Sequence, residues 1–236
     1  MGATFEELAA SETPMGLLTL RRRLEPSLGI DVFEVKLGDE YLMSSLFTAA
    51  ELELARLALA EVTHPELDVV VGGLGLGYTA MAALEDPRVR TLAVVEALRE
   101  VIDWHEDGLL PDAVGLASDL RTRLVHGDFF ALASADAGFD PAPPRQRYHA
   151  ILVDIDHSPR HLLDERHTGF YTVDGLRALT RHLHPGGVFA LWSDDPPDDA
   201  FLTDLAQVFA SAEAHVITFP NHYTRGESTN TVYVAS

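Results

Sequence analysis

Three valines, Val69, Val70 and Val71, run directly into Gly72-Gly73-Leu74-Gly75-Leu76-Gly77-Tyr78-Thr79-Ala80, and this junction limits the fold more than any other stretch. β-Branched residues before a glycine-rich turn, with a helix-permissive segment after it, read as a strand, a tight loop and a helix start. Glycine lacks a Cβ and tolerates positive φ, so the backbone N–H groups of such a loop can come close to a ligand. Roughly twenty residues further on, the apolar run of Val94 and Val95 ends in the carboxylate of Glu96, where a nucleotide ribose would present its hydroxyls. The pair predicts a nucleotide or nucleoside site.

The rest of the chain alternates in a way that fits this start. Strands are expected at about Asp68–Val71, Thr91–Glu96, Arg123–His126, His149–Asp154 and Val188–Trp192. Helices are expected between them at about Gly77–Leu84, Leu98–His105, Phe129–Ala133 and Val173–Leu183. That order predicts a parallel sheet covered by helices on both faces. After a helix at Phe201–Ser211, the apolar runs Ala214–Phe219 and Asn230–Val234 are joined by a segment too short for a crossover helix, so they should pair antiparallel. A nucleotide-binding sheet that ends in such a hairpin is the methyltransferase-type Rossmann variant. Ala135–Arg147, with Pro141, Pro143 and Pro144, reads as an irregular surface loop.

Before the glycine turn the pattern is different. Residues 1–14 read as a short helix stopped by Pro14. Gly16–Leu24, Asp31–Leu37 and Glu40–Ser44 have β character, with period-two alternation in the second and a Gly38-Asp39 turn before the third. A small antiparallel sheet is expected. From Thr48 to about Val62 a helical pattern takes over, and Thr48 with Glu51 three residues later matches a capping box. Two units follow: residues 1–62, an N-terminal β-sheet region with its linking helix, and 63–236, a Rossmann-like nucleoside-binding catalytic domain.

Composition bears on partners. Seventeen Lys and Arg against 37 Asp and Glu give a formal charge of −20, which repels phosphate backbones and attracts cations. Nucleic acid is therefore not an expected partner, whereas a cationic substrate suits the field, as simple solubility also would. With no cysteine, disulfides, thiolate catalysis and Cys-based zinc sites are excluded. No apolar run approaches the ~20 residues that span a bilayer, and Glu6 and Glu7 stand where a leader would be basic, so a cytoplasmic protein without membrane contact is expected. His157, His161 and His167 match no metal-ligand spacing, and no metal is expected. The length of Ile155–Gly169 suggests a cover over an acceptor site. Asp194 to Asp199 form a second acidic cluster, open to attracting a cation or to capping a helix.

Five blocks carry a resemblance: Val71–Thr79; Val94–Ile102; Val125-His126-Gly127-Asp128-Phe129; Ile151-Leu152-Val153-Asp154-Ile155-Asp156-His157-Ser158-Pro159; and Leu183-His184-Pro185-Gly186-Gly187-Val188-Phe189-Ala190. In this order and at these spacings the chain resembles the spermidine synthase-like proteins, within the class I S-adenosylmethionine-dependent transferases, over nearly its whole length. The resemblance implies an α/β fold with a mostly parallel seven-stranded sheet and a small N-terminal antiparallel sheet, and a donor that is S-adenosylmethionine or its decarboxylated form. It implies that Gly72, Gly73, Gly75 and Gly77 wrap the aminoacyl or aminopropyl part of the nucleoside. Glu96 would bind the ribose hydroxyls and Asp128 the adenine amino group, with Phe129 adding a backbone contact. From the residues alone, Asp128 also reads as the N-cap of the helix that follows it.

The implied reaction is transfer of an aminopropyl group to an amine such as putrescine, with Asp154 beside the transferred group. An amine is mostly protonated near neutral pH, so a base must take its proton; Asp154 is placed to do so, with Asp156 or His157 assisting. Three departures stand out. The family's second loop aspartate falls on His157, Leu74 and Leu76 stand where its glycine loop carries an acid, and its tyrosine at the start of the linking helix has no counterpart in Glu51–Ala55. Tyr41, Tyr78 and Tyr223 are possible substitutes. Two further readings remain: a methyltransferase using S-adenosylmethionine on another acceptor, and an inactive nucleoside-binding or assembly protein. In either case the N-terminal sheet offers an edge for a homodimer.

Overall fold

The computed structural model describes residues 5–139 and 147–236. The prolines at 141, 143 and 144, and most of the loop expected around them, lie outside the described residues.

The N-terminal unit is a four-stranded antiparallel meander of β1 (Phe5–Thr13), β2 (Gly16–Glu25), β3 (Ile30–Leu37) and β4 (Glu40–Ser44), in that order across the sheet. The helix expected over residues 1–14 is instead β1. Glu6, Glu7, Ala9 and Ala10 favour a helix by propensity, but pairing with β2 overrides it: β1 pairs from Phe5 opposite Arg23 to Thr13 opposite Gly16, with a bulge between Glu7 and Ala9. The Thr13 hydroxyl closes the intervening turn on the Gly16 carbonyl at 2.7 Å. Gly38, with φ of 58°, turns β3 into β4.

Helix α1 (Ala49–Glu61) links this meander to a seven-stranded sheet. Its strands are β5 (Leu67–Gly72), β6 (Val89–Glu96), β7 (Thr122–His126), β8 (Tyr148–Val153), β9 (Leu183–Ser193), β10 (Ala212–Asn221) and β11 (Gly226–Ala235). They lie in the order β10-β11-β9-β8-β5-β6-β7. Strands β9, β8, β5, β6 and β7 are parallel, and β11 pairs antiparallel with both β9 and β10. The helices are α2 (Tyr78–Glu85), α3 (Arg99–Glu106), α4 (Phe129–Ser134), α5 (Val173–Thr180) and α6 (Asp199–Ala206).

Every residue of β5 and β8 is buried, as strands covered on both faces require. One core layer joins Leu18, Leu20 and Val35 of the meander to α1, α2 and one face of the sheet. The other packs Phe129, Phe139 and Tyr148 with α5 and α6 on the opposite face. The chain leaves β5 toward β6 and β7 and returns to β8 on its other side, so the strand order reverses between the carboxyl ends of β5 and β8. Open α/β sheets bind ligands in such a crevice. No helix among the described residues is long and apolar enough to cross a membrane.

Candidate active site at the switch point

The crevice holds a mostly apolar cavity of about 210 Å³, walled by the glycine turn, the ends of β6 and β8, the start of α4, the 155–169 connection and the meander. The close approach of β5 to β8 dictates the glycines. The Asp154 amide donates to the Gly72 carbonyl at 2.8 Å, and a Cβ on Gly73, whose φ is +92°, would stand 2.0 Å from the Asp154 carbonyl oxygen. At Gly75 a Cβ would meet the Met43 sulfur at 2.6 Å, and that sulfur accepts the Leu76 amide at 2.9 Å. Gly73 and Gly75 line the cavity. Gly72 instead lies against the Phe129 ring, and Gly77 packs on His105 at the start of α2.

Glu96 ends β6 with its carboxylate in the cavity wall. One oxygen accepts the Leu74 amide at 3.0 Å and the other the Leu98 amide at 2.8 Å. Burial pushes its pKa up while these amides hold it down. Both oxygens keep free lone pairs for hydroxyl donors. Asp128 lines the same wall and also caps α4, accepting the Phe130 and Ala131 amides at 2.9 and 3.1 Å. Its two readings coexist. Phe129 and Phe130 both line the cavity; the Phe129 ring is buried against Gly72, and Phe130 stacks on His167 with ring centres 3.9 Å apart.

The three residues expected around the chemistry separate. Asp154 ends β8 inside the cavity, accepts the Thr79 hydroxyl at 2.7 Å, and is pushed up to about 6 by burial. Asp156 is 1% exposed and is absent from the cavity wall. It accepts the Leu163 amide at 2.8 Å, His167 Nδ1 at 2.9 Å and the Tyr171 hydroxyl at 2.8 Å, so it pins the 155–169 connection over the cavity. His157 reaches the wall but its Nε2 lies 2.9 Å from Glu40 of β4, tying that connection to the meander.

Sequence reasoning missed Glu51. Thr48 occupies the N-cap position of α1 but makes no side-chain cap hydrogen bond, so the expected capping box does not form. Glu51 shares the buried helix face of Leu54, Ala55 and Ala58, and it lines the cavity with Asp154. The signal was an acid in register with an apolar stripe. Trp192 of β9 lines the cavity too, with its indole Nε1 buried and without a hydrogen-bond partner among the described residues. Tyr41, Tyr78 and Tyr223 are absent from the wall: Tyr41 sits under Lys36, the Tyr78 hydroxyl donates to Asp112 at 2.6 Å, and Tyr223 bonds Arg23. In the second acidic cluster, Asp198 caps α6 and pairs with Arg160, while Asp194 accepts from Asn230 at 2.7 Å.

His157, His161 and His167 form no metal-ligating group. Among the described residues such a group arises only from Asp68, His149 and His184, at the opposite edge of the sheet. There Asp68 is already held by Arg90 and Thr91, both at 2.6 Å, and its amide donates to His149 Nδ1 at 3.0 Å.

The strand order, the switch-point cavity and the terminal hairpin define a methyltransferase-type Rossmann fold, that of the class I S-adenosylmethionine-dependent transferases. With the N-terminal meander added, the fold is the spermidine synthase-like form. No family model matches the chain. It is 27% identical over 173 residues to polyamine aminopropyltransferase 2 of Pseudomonas aeruginosa, covering 69% of this chain and 45% of that protein. It is 26% identical over 179 residues to putrescine N-methyltransferase 3 of Nicotiana tabacum, covering 73% of this chain and 43% of that one. The chain thus spans less than half the length of these curated relatives. A crystal structure of spermidine synthase in complex with the transition-state analogue AdoDATO superposes with a TM-score of 0.72 over 98% of this chain and 72% of that chain, at 16% identity, a likeness of fold.

Proposed function

We propose that the chain is a transferase that moves an alkyl group from an adenosyl-sulfonium donor to an aliphatic amine. The observation that carries this reading is the placement of Glu96 and Asp154 in the wall of one apolar cavity at the switch point. The donor would be decarboxylated S-adenosylmethionine and the acceptor a diamine such as putrescine, as the names of the relatives suggest.

The residues present fit such a donor. Glu96 offers two carboxylate oxygens, already aimed by the Leu74 and Leu98 amides, to a pair of ribose hydroxyls. Phe130, stacked on His167, gives a flat apolar surface beside Asp128, whose second oxygen is free to accept from an adenine amino group. The glycine turn lets the donor's chain lie against backbone. When bound, the donor supplies a carbon activated by a positively charged sulfur. The protein's part is to position the amine, exclude water and receive its proton. Asp154 is the base: its raised pKa brings it nearer neutrality than an ordinary aspartate, as proton transfer near pH 7 favours.

A methyl group is the second reading for the transferred unit. Leu74 and Leu76 are each 3% exposed and belong to the core, so the glycine turn offers no carboxylate to the ammonium of an aminopropyl chain. Calorimetric titration with S-adenosylmethionine and with its decarboxylated form tests the donor class. Micromolar binding of either supports the reading, and binding of the carboxylated form alone selects the methyl version. Binding of neither sinks the proposal.

A further inference from the structure

The cavity holds more acid than it neutralises. Its basic wall residues are each committed to another acid: Arg166 to Asp164 at 2.7 Å, His157 to Glu40 at 2.9 Å and His167 to Asp156 at 2.9 Å. Of the other wall acids, Glu96 and Asp128 each accept two backbone amides, which leaves Glu51 and Asp154. Among the described residues no basic side chain bonds to either: Asp154 has the Thr79 hydroxyl, and Glu51 has only its own backbone N–H. Thr79 of α2 donates its hydroxyl to the Asp154 carboxyl at 2.7 Å and lies 3.4 Å from the backbone carbonyl of Glu51, which sets α1 against the end of β8. A buried acid pair without a counter-cation is costly to keep, and here it faces a cavity with the unpartnered Trp192 on the same wall.

We propose that Glu51 and Asp154, brought together from α1 and β8, form a two-carboxyl seat for the ammonium group of the acceptor, with the Trp192 ring beside it. The proposal rests on the reading of the cavity as an amine-transfer site and adds what selects the acceptor: a primary aliphatic amine that enters charged. The second acid comes from a helix of the N-terminal unit, while the neighbouring loop acid, Asp156, is consumed in holding the loop.

The proton balance follows. The incoming R–NH3+ gives one proton to a carboxylate of the pair. The freed lone pair forms the N–C bond as the C–S bond breaks, and the C–S electrons leave with sulfur as a neutral thioether. The product nitrogen keeps two protons as R–NH2+–R′, and the pair keeps the one it took. Burial, Asp154 and then Asp194 push the Glu51 carboxyl up, so the pair carries less than its full charge until a cation arrives. Asp154, Asp194 and the Tyr78 hydroxyl are the titratable groups that sense Glu51.

The test loads the full-length protein with S-adenosylhomocysteine or methylthioadenosine and titrates putrescine or butylamine by calorimetry from about pH 6 to 9. E51Q is expected to bind the nucleoside within about twofold of the unmodified protein and both amines roughly ten- to a hundredfold more weakly. Its pH dependence of amine binding should be flatter, and E51D should recover part of the affinity. A melting curve confirms that each variant is folded. Amine affinity and pH dependence unchanged in E51Q, with nucleoside binding intact, overturn the role of Glu51 and leave the transferase reading standing. Failure of the unmodified protein to bind either nucleoside overturns the transferase reading, and this inference with it.

Discussion

The two ends of the seven-stranded sheet bury acids in opposite ways. At the amino end, Asp68 is 4% exposed and its carboxylate is satisfied by Arg90 and Thr91. At the carboxyl end, among the described residues, Asp154 has a single hydroxyl partner and Glu51 has no side-chain partner, and both are pushed up by burial. The same contrast recurs within one loop, where Asp156 is saturated by three donors two residues from the under-satisfied Asp154. A buried acid with its full set of donors is structural. One left short of partners beside a cavity is what the proposed amine site requires.

Substitutions at both kinds of acid can break this contrast. The largest effect is expected from D154N, which should lower the transfer rate by roughly 100- to 10,000-fold while nucleoside affinity stays within about threefold; single-turnover kinetics with donor and amine separate the two. E96A comes next. If Glu96 takes both ribose hydroxyls as proposed, its loss should weaken nucleoside binding about 10- to 100-fold, read by calorimetry. D156N should act on stability first, costing about 1–3 kcal/mol and lowering the melting temperature by roughly 2–10 °C. Its loss of transfer rate per folded molecule should be well below that of D154N.

The smallest expected effect concerns pH. Glu51 is pushed up to about 8 in the folded chain, against about 4.3 unfolded, so the folded state holds the extra proton. The stability this gives is complete below about pH 4 and is lost as pH rises through about 8. E51Q removes the titration. It should melt level with the unmodified protein near pH 4 and progressively above it as pH rises to about 8.5, followed by differential scanning calorimetry.

The sheet was legible because its signals are local. Val69 to Gly77 fix a strand and a turn, Glu96 and Asp128 fall where strands end, and the short link between the last two apolar runs forces the antiparallel hairpin. The N-terminal unit was less so. Residues 5–13 carry helix-favouring Glu and Ala, and only pairing with β2, which is tertiary, makes them a strand. Glu51 was read as half of a capping box because Thr48 stands three residues before it, a local rule that burial overrode. Asp156 and Asp154 look alike in the sequence. Which one faces the cavity depends on His167 and Tyr171, 11 and 15 residues beyond Asp156.

The most direct test is a transfer assay in which the purified protein is incubated with putrescine and either S-adenosylmethionine or its decarboxylated form, and the products are identified by mass spectrometry. N-alkylated putrescine and the matching nucleoside thioether should appear in equal amounts from at least one donor, the added mass revealing an aminopropyl or a methyl group. Tight binding of donor and amine with no alkylated amine from either donor would contradict the account.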